Sequence, residues 1–483
     1  MRELFQIAMT LDEKANQAHM TFHVEVPHNV SRLVVNFNYS PIEESDRVAL
    51  EHAVLREGYS VSILENDTVL RNLLTLSIHD PYKFRGGRHY FNSNQLIEIS
   101  DSEASLGFEA GEIPAGVWQF TIHNHACLSP NIKCDLKVQA EVEESAFSRE
   151  VPLAQLREPK KKIVKTIQVD KNAPWVKAEL HTHTVHSDGN QTTEQLLTAA
   201  EQEGIHCLSI TDHNTTSAYQ DLQLNQHNLT MLQGVEYTTF YGHFLVHHAE
   251  NIPLNNWTHL SSSSLQALLQ QLQNNNALIT IAHPFDMGNP FCTGCQWNYV
   301  LDHINHIDAI EVWNGPSPTS SLSNLDAYAK WTHLLQQGYE IQASCGRDWH
   351  NPMGQDEQCA YMFVQANDAS AASIIDSLKY GRSYISMGPR IELTVNQRFS
   401  IGDHIRITDH RLQISLILSN MESSSHVCII AGERLLYEKE VMDSEMVIDY
   451  ISDDFTENYL RIEIKNKVGD ITAFTNPVYF QYV

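Results

Sequence analysis

Hydrophobic and polar residues alternate strictly in several stretches of the first third of the chain. Met20, Phe22, Val24 and Val26 are separated by polar partners, as are Leu33, Val35, Phe37 and Tyr39. Leu74, Leu76 and Ile78 repeat the pattern up to Asp80-Pro81, and Trp118, Phe120 and Ile122 repeat it again. A period of two places alternate side chains on one face, as in a strand with one buried side. Gly86-Gly87 and Pro114-Ala-Gly116 supply turns between these runs. Residues 1–155 therefore predict a β-rich, antiparallel sandwich. His123 and His125 form a His-x-His pair in the last of these runs, with no acidic loop after it, and read as strand surface.

The pattern changes after a charged, proline-bounded linker at 156–174. Thr192-Thr-Glu-Gln195 is a capping box, and the helix it opens carries Leu196, Leu197 and Ala200 on one side before stopping at Gly204. The apolar run Ile205–Ile210 follows, so the unit reads strand–helix–strand, which implies parallel pairing. Further strands are predicted at 229–235, 243–246, 277–282, 309–313, 341–344 and 361–365, with helices at 262–274, 322–337 and 371–380. Seven or so strands alternating with helices over 175–390 predict an α/β domain closed as a (β/α) barrel. From Ile391 the period of two returns, in Leu412, Ile414, Leu416 and Leu418 and in Leu460, Ile462 and Ile464. Residues 391–483 predict a small C-terminal β-sandwich-like domain.

Composition narrows the function more than the fold. The 483 residues are 42% hydrophobic with a formal net charge of −27. Such a surface repels phosphate backbones and argues against a partner made of long nucleic acid. No apolar run approaches the roughly 18 residues that a membrane helix needs. Met1-Arg-Glu-Leu-Phe-Gln6 has no basic region leading into an apolar core, so no secretory signal is expected. The eight cysteines show no disulfide-framework spacing, which suits a reducing cytoplasm. Cys292-Thr-Gly-Cys295 lacks the second pair that a zinc knuckle requires, and Arg157–Lys162 reads as a solvated basic stretch of the linker.

The 26 histidines need a chemical account. His181-Thr-His183 follows a strand-like approach, so both imidazoles share a face, and Ser187-Asp188-Gly189 adds a carboxylate after a short loop. Two imidazoles and a hard oxygen suit Zn²⁺, Mn²⁺ or Fe²⁺. Further polar clusters are expected just after later strands: Thr211-Asp-His213-Asn214, Gly234-Val-Glu236, Gly242-His243, His283-Pro284, Glu311-Val-Trp-Asn314 and Arg347-Asp348-Trp-His350. In a barrel all such ends meet at one rim, where active sites lie.

These motifs resemble those of the polymerase and histidinol phosphatase (PHP) superfamily of metal-dependent hydrolases. The likeness rests on His181-Thr-His183 with Ser187-Asp-Gly189, Ile210-Thr-Asp-His213-Asn214, Gly234-Val-Glu236, Ala282-His283-Pro284 and Gly346-Arg-Asp348-Trp-His350. Asp80-Pro81, Phe84-Arg85-Gly86, Gly111–Trp118, Gly242-His243-Phe244 and Thr475-Asn-Pro477 resemble the CehA/McbA branch, named for carbaryl-hydrolysing enzymes. Two departures stand out: Ala178-Glu179 where Gly-Asp is common, and Arg347 where serine is usual.

The resemblance implies a PHP-type distorted (β/α)7 barrel binding two or three divalent ions. His181, His183, Glu236 and Asp348 would hold one, with Glu236 bridging to a second held by His243 and His283. Asp188, His213 and His350 would hold a third. No protein nucleophile is implied; a metal-bound hydroxide would attack the substrate. Arg347 and Arg382 are candidates to orient an anion, and His186 to carry protons. The first expectation is a phosphoesterase for a small phosphorylated or nucleotide substrate. The alternatives are a carboxyl-ester or aryl-carbamate hydrolase, a 5'-3' exonuclease of the PHP type, and a non-catalytic metal- or ligand-binding scaffold. The β-rich flanks are expected either to cover the barrel mouth or to form a homodimer.

Overall fold

The computed structural model describes residues 1–142, 170, 172–224, 227–248, 257–258, 260–288, 294–299, 306–354, 357–408 and 410–482. The basic stretch 157–162 and nearly all of the proposed linker lie outside these residues.

Two four-stranded antiparallel sheets make up the N-terminal part. One runs in the order Arg2–Leu11, Ile132–Val142, Val30–Ser40, Asn94–Ser100; the other Ala18–Val26, Gly116–Ala126, Leu73–His79, Phe84–Arg88. Their inner faces share one core, in which Val35, Phe37 and Leu136 of the first sheet meet Leu76, Trp118 and Phe120 of the second. The alternation seen in the sequence is this inner face. A helix, Arg47–Arg56, interrupts the strands and is capped by the Asp46 carboxylate, which accepts from the N–H groups of Val48 and Ala49.

The reading of His123 and His125 as strand surface is overturned. Both are fully buried, because the outer face of Gly116–Ala126 is covered as well. His123 and His125 pack against Trp257, and His125 also against Phe240. Strand periodicity identifies two faces but does not say whether the second meets water or another part of the chain.

The central sheet is mixed rather than parallel. Its order is Gln342–Gly346, Ala309–Asn314, Leu278–Ile281, Gly242–His248, Thr230–Thr239, Cys207–Ile210, Trp175–Glu179, Tyr361–Gln365, Ser383–Ser386. Parallel pairs occur on both sides of a hairpin, Thr230–Thr239 with Gly242–His248, whose second strand runs antiparallel to both neighbours. A turn of two residues cannot return a strand parallel to itself, so Phe240-Tyr241 forces the reversal. Tyr361–Gln365 and Ser383–Ser386 are antiparallel as well. Helices Thr193–Gln202, Ser262–Asn274, Leu322–Gln336 and Ala371–Lys379 lie close to where periodicity predicts them.

The last strand of this sheet does not end it. Ser383–Ser386 pairs antiparallel with Ile471–Thr475, and the sheet continues through Tyr459–Lys465 to Ser425–Ala431 and Arg434–Val441. The expected C-terminal sandwich is thus joined to the central sheet by backbone hydrogen bonds. A separate three-stranded sheet, Arg390–Val395, Leu412–Ser419 and Met446–Ser452, packs against it.

Candidate metal centre

Three chain segments are laced together just beyond their strands. The His183 N–H donates to the Trp349 carbonyl (3.1 Å) and the Trp349 N–H to the His181 carbonyl (3.1 Å), so the His-x-His segment pairs directly with Asp348-Trp-His350. On its other side the Thr211 N–H donates to the Thr182 carbonyl (2.8 Å). Thr182 faces away from the imidazoles and donates its hydroxyl to the Ser209 carbonyl (2.9 Å). The loop to Asp188 is folded around Asp212, which accepts from the Thr184 N–H (2.7 Å), the Thr184 hydroxyl (2.6 Å) and the Ser187 hydroxyl (2.6 Å).

Glu236 lies at the middle, fully buried. Its Oε2 is 3.2 Å from His181 Nε2, 3.3 Å from His183 Nε2 and 3.0 Å from His213 Nδ1. Its Oε1 is 2.9 Å from His243 Nδ1 and 3.1 Å from His283 Nε2. Asp348 Oδ1 stands 3.0 Å from His183 Nε2, 3.4 Å from His181 Nε2 and 3.3 Å from His350 Nδ1. Asp188 Oδ1 is 3.0 Å from His350 Nε2 and 3.4 Å from His213 Nε2. All nine residues expected from the sequence to hold metal are therefore brought together.

Two of them arrive by a different route than expected. Glu236 sits within its strand, and His243 near the start of one, yet both reach the same rim because the hairpin reverses direction there. His283 and Asp348 adopt positive φ (24° and 52°), as does Asn214 beside His213 (55°). Such backbone is uncommon outside glycine and clusters at functional sites.

Do these residues fit a cation? Donors about 2.1 Å from a common ion, spread at octahedral to tetrahedral angles, are about 3.0–3.4 Å apart, close to the spacings found. His183 Nε2, Asp348 Oδ1 and His283 Nδ1 are buried with no hydrogen-bond partner. Buried polar atoms are rarely left so, and a cation would satisfy nitrogen and carboxylate lone pairs alike. His183, Asp188, His213 and His350 form one compact donor group, His181, His183 and Glu236 another, and His213, Glu236 and His243 a third. The donor set fits.

Electrostatics agree. Burial alone would raise Glu236, Asp188 and Asp348, but the surrounding imidazoles outweigh it and hold all three well below the usual carboxylate range. Burial disfavours the charged imidazoles in turn, yet the facing carboxylates raise His181 and His213 strongly and lift His283 and His350 to about 9. At His243 burial wins, and its pKa is lowered. Without metal, protons do part of the neutralising.

The supporting residues are less legible in sequence. Glu311 accepts from or faces His181 Nδ1 (3.0 Å), accepts the His283 N–H (2.9 Å) and accepts from Asn314 Nδ2 (3.0 Å). Glu179, pushed up to about 7 by burial, accepts the N–H groups of His181 (3.0 Å) and Arg347 (3.1 Å). His89, from the N-terminal sandwich, packs on His213 with ring centroids 4.6 Å apart. Arg88 beside it donates to the Val185 carbonyl (2.7 Å), and the Gly107 carbonyl accepts from Thr215 (2.9 Å). Gly86-Gly87, read from the sequence as a turn, instead lies inside the strand Phe84–Arg88, and nothing local marks His89 as part of the site.

The proposed catalytic helpers divide. Arg347 lies at the rim, its guanidinium beside Glu357 and over the Trp349 ring. His186 is not among the converging groups: its Nδ1 meets Ser217 (2.8 Å) and its Nε2 Asp221 (3.0 Å), leaving no ring nitrogen free to shuttle a proton. Arg382 is also elsewhere, paired with Asp403. Its carbonyl accepts from Gln365, which pairs with Trp175 at the far end of the strand from His181.

A buried cage of imidazoles and carboxylates on a mixed sheet defines a candidate polynuclear metal centre. Residues 179–310 match the PHP domain model, a stretch that contains seven of the nine converging residues and stops short of Asp348 and His350. Among solved structures, the chain is similar to a two-domain protein from Bacteroides vulgatus containing a predicted PHP-like metal-dependent phosphoesterase. That likeness has 15% identity and TM-score 0.35, covering 67% of this chain and all of that one. A putative metal-dependent phosphoesterase from Bifidobacterium adolescentis is 16% identical, with 38% of this chain and 93% of that one covered and TM-score 0.26. An amidohydrolase from Chromobacterium violaceum with bound sulfate and no metal is 17% identical, with 37% and 89% covered and TM-score 0.24. No curated protein matches the chain.

Proposed function

We propose that this protein is a metal-dependent hydrolase, a phosphoesterase for a small phosphorylated or nucleotide substrate. The reading is carried by the convergence of nine imidazole and carboxylate side chains with three orphaned buried atoms among them. The ion grouping expected from the sequence is retained as part of the proposal, with Mn²⁺, Fe²⁺ or Zn²⁺ as the candidate ions. Bound there, divalent ions would supply an activated water at neutral pH and polarise the oxygen under attack.

The chain's own residues supply placement. Glu311 holds His181 Nδ1, which turns Nε2 toward Glu236. A cavity of about 340 Å³ adjoins the cage, with His283 and Asp348 on one wall and Arg347, Asn314 and Asn324 among the others. Arg347 brings positive charge to this wall, suited to a phosphoryl oxygen or a second anionic group. The described lining is largely polar, with Asp286, Asn314, Ser321, Ser323 and Asn324 beside the donors, which supports a polar phosphoester over an aryl ester or aryl carbamate. A larger groove of about 750 Å³ lies on the N-terminal sandwich, lined by Met9, Tyr39 and Lys133 and remote from the cage residues. We assign the substrate to the smaller one because it touches the donors.

The narrower CehA/McbA-like identity rests on the flanking motifs, and with it the ester or carbamate alternative. A cavity of this size and the net charge of −27 support a small substrate over long nucleic acid. Among the described residues no helix is long and apolar enough to cross a membrane. Cys127, Cys134, Cys207, Cys345, Cys359 and Cys428 are free thiols, which supports a reducing, cytoplasmic setting.

The deciding experiment loads the purified protein with Mn²⁺, Fe²⁺ or Zn²⁺ and assays p-nitrophenyl phosphate, bis-p-nitrophenyl phosphate and 1-naphthyl esters. Turnover of a phosphate ester that chelation abolishes is expected. Turnover of naphthyl esters alone would move the assignment to carboxyl esters. Silence on every substrate with metal bound would leave a binding scaffold.

A further inference from the structure

Cys295 belongs to a sequence motif that the site described so far does not use. Its thiol sulfur, a ring nitrogen of His243 and a ring nitrogen of His283 all lie within 4.8 Å of one another. The placement is built rather than incidental. Gly294, at φ +87°, lies so close to the His243 hairpin that a Cβ there would come within 2.1 Å of the Thr239 carbonyl and 2.8 Å of the Phe240 backbone. On the other side of Cys295, the Trp297 N–H donates to the Pro284 carbonyl (2.9 Å), next to His283, and the Asn298 N–H to the Tyr241 carbonyl (2.7 Å). The Trp297 ring covers Gly242, where a Cβ would meet it at 2.7 Å. Tyr299 adds a hydroxyl bond to Thr239 (2.9 Å). The segment carrying Cys295 is thus pinned both to the hairpin that delivers His243 and to the turn that delivers His283.

An independent observation points to a ligand here. His283 is 6% exposed, and its Nδ1 is buried with no partner. A thiol and two imidazoles are the donor set of a thiophilic or borderline ion.

We propose that the Cys295 thiolate, together with ring nitrogens of His243 and His283, is a protein ligand to a divalent ion. The thiol proton leaves to solvent as the sulfur binds. The consequence is selectivity: a sulfur donor favours Zn²⁺, Co²⁺ or Fe²⁺ at this position over Mn²⁺ or Mg²⁺. The inference rests on the metal-centre reading above.

The test titrates Co²⁺ into the full-length, metal-free protein and into Cys295→Ser and Cys295→Ala, following absorption and bound cobalt. The expected result is a near-ultraviolet thiolate-to-cobalt charge-transfer band in the unaltered protein that both variants lose, with visible cobalt bands retained. A second arm needs no variant: iodoacetamide labelling of Cys295, read by peptide mass spectrometry, is expected to slow when Zn²⁺ is bound. Cobalt uptake with visible bands but no charge-transfer band, or a band that survives Cys295→Ser, overturns the proposal and leaves the metal centre standing. Absence of cobalt uptake by the unaltered protein overturns the metal-centre reading together with it.

Discussion

His181 makes three kinds of contact at once: its carbonyl and N–H tie the segment to Trp349 and Glu179, its Nε2 faces Glu236 and Asp348, and its Nδ1 meets Glu311. A carboxylate on the far nitrogen fixes both tautomer and ring angle of a ligating histidine. Glu311→Gln keeps the shape and removes the charge, so metal affinity is expected to fall about 10–100-fold, measured by competition with a chelator, with the circular dichroism spectrum unchanged. A pH effect belongs to the same residues. His283 and His350 rise from an ordinary 6.5 to about 9 because carboxylates face them. Their protonated forms stabilise the metal-free protein at low pH, and that contribution is lost as pH rises through about 9. An ion needs the neutral rings, so binding displaces protons. Metal affinity is therefore expected to increase from pH 6.5 to 9. Calorimetry in two buffers of different ionisation enthalpy should register net proton release; an identical heat in both buffers would refute it.

At the scale of elements, most strands and helices of the central region were legible because their apolar runs are separated by strong caps and turns. Thr192 and Gln195 form the predicted capping box, and Tyr361–Gln365 begins and ends where its pattern does. Direction was not legible. Thr230–Thr239 and Gly242–His248 read as two more members of a parallel set, but the two-residue turn makes them a hairpin. The rim survives this reversal because an antiparallel strand starts where its neighbours end. Close approach of elements also depends on residues that periodicity ignores. A Cβ at Gly346 would lie 2.3 Å from the His181 Cβ and 2.6 Å from Glu311 Oε1. Gly346→Ala is thus expected to force Gln342–Gly346 away from the segment carrying His181, costing about 1–3 kcal/mol in urea unfolding and lowering bound metal per chain. Unchanged stability and full metal content would contradict this account.

On the scale of the whole molecule, the flanking β regions are part of the architecture of the site. The N-terminal sandwich buries His123 and His125 against Trp257 and lays His89 on His213. At the other end, Ile471–Thr475 covers the edge of Ser383–Ser386, and Trp331 of the central region packs on Phe474. An unpaired strand edge is an aggregation hazard. A chain ending at residue 390 is therefore expected to be insoluble or aggregated, as judged by size-exclusion chromatography and light scattering. A soluble, metal-binding monomer would show that the continuous sheet is dispensable.

What the sequence determined by itself was local and chemical: where the period is two, where it is 3.6, and which side chains are candidates to hold a metal. Donor types recur beside strand ends, and the resemblance to the PHP superfamily singled out His181, His183, Asp188, His213, Glu236, His243, His283, Asp348 and His350 as the candidate ligands. Glu311 stood in the sequence only as part of a polar cluster by a strand end, while His89, and the closeness of Cys295 to His243 and His283, went unseen. Their positions depend on which segments pack together, through tight contacts at Gly346, Gly107 and Gly294 that no local pattern encodes. The same holds for His186 and Arg382, whose types suit catalysis but whose partners, Ser217, Asp221 and Asp403, are chosen by the fold. Residue chemistry is written along the chain; proximity is set by the burial of faces, and only the packed structure decides it.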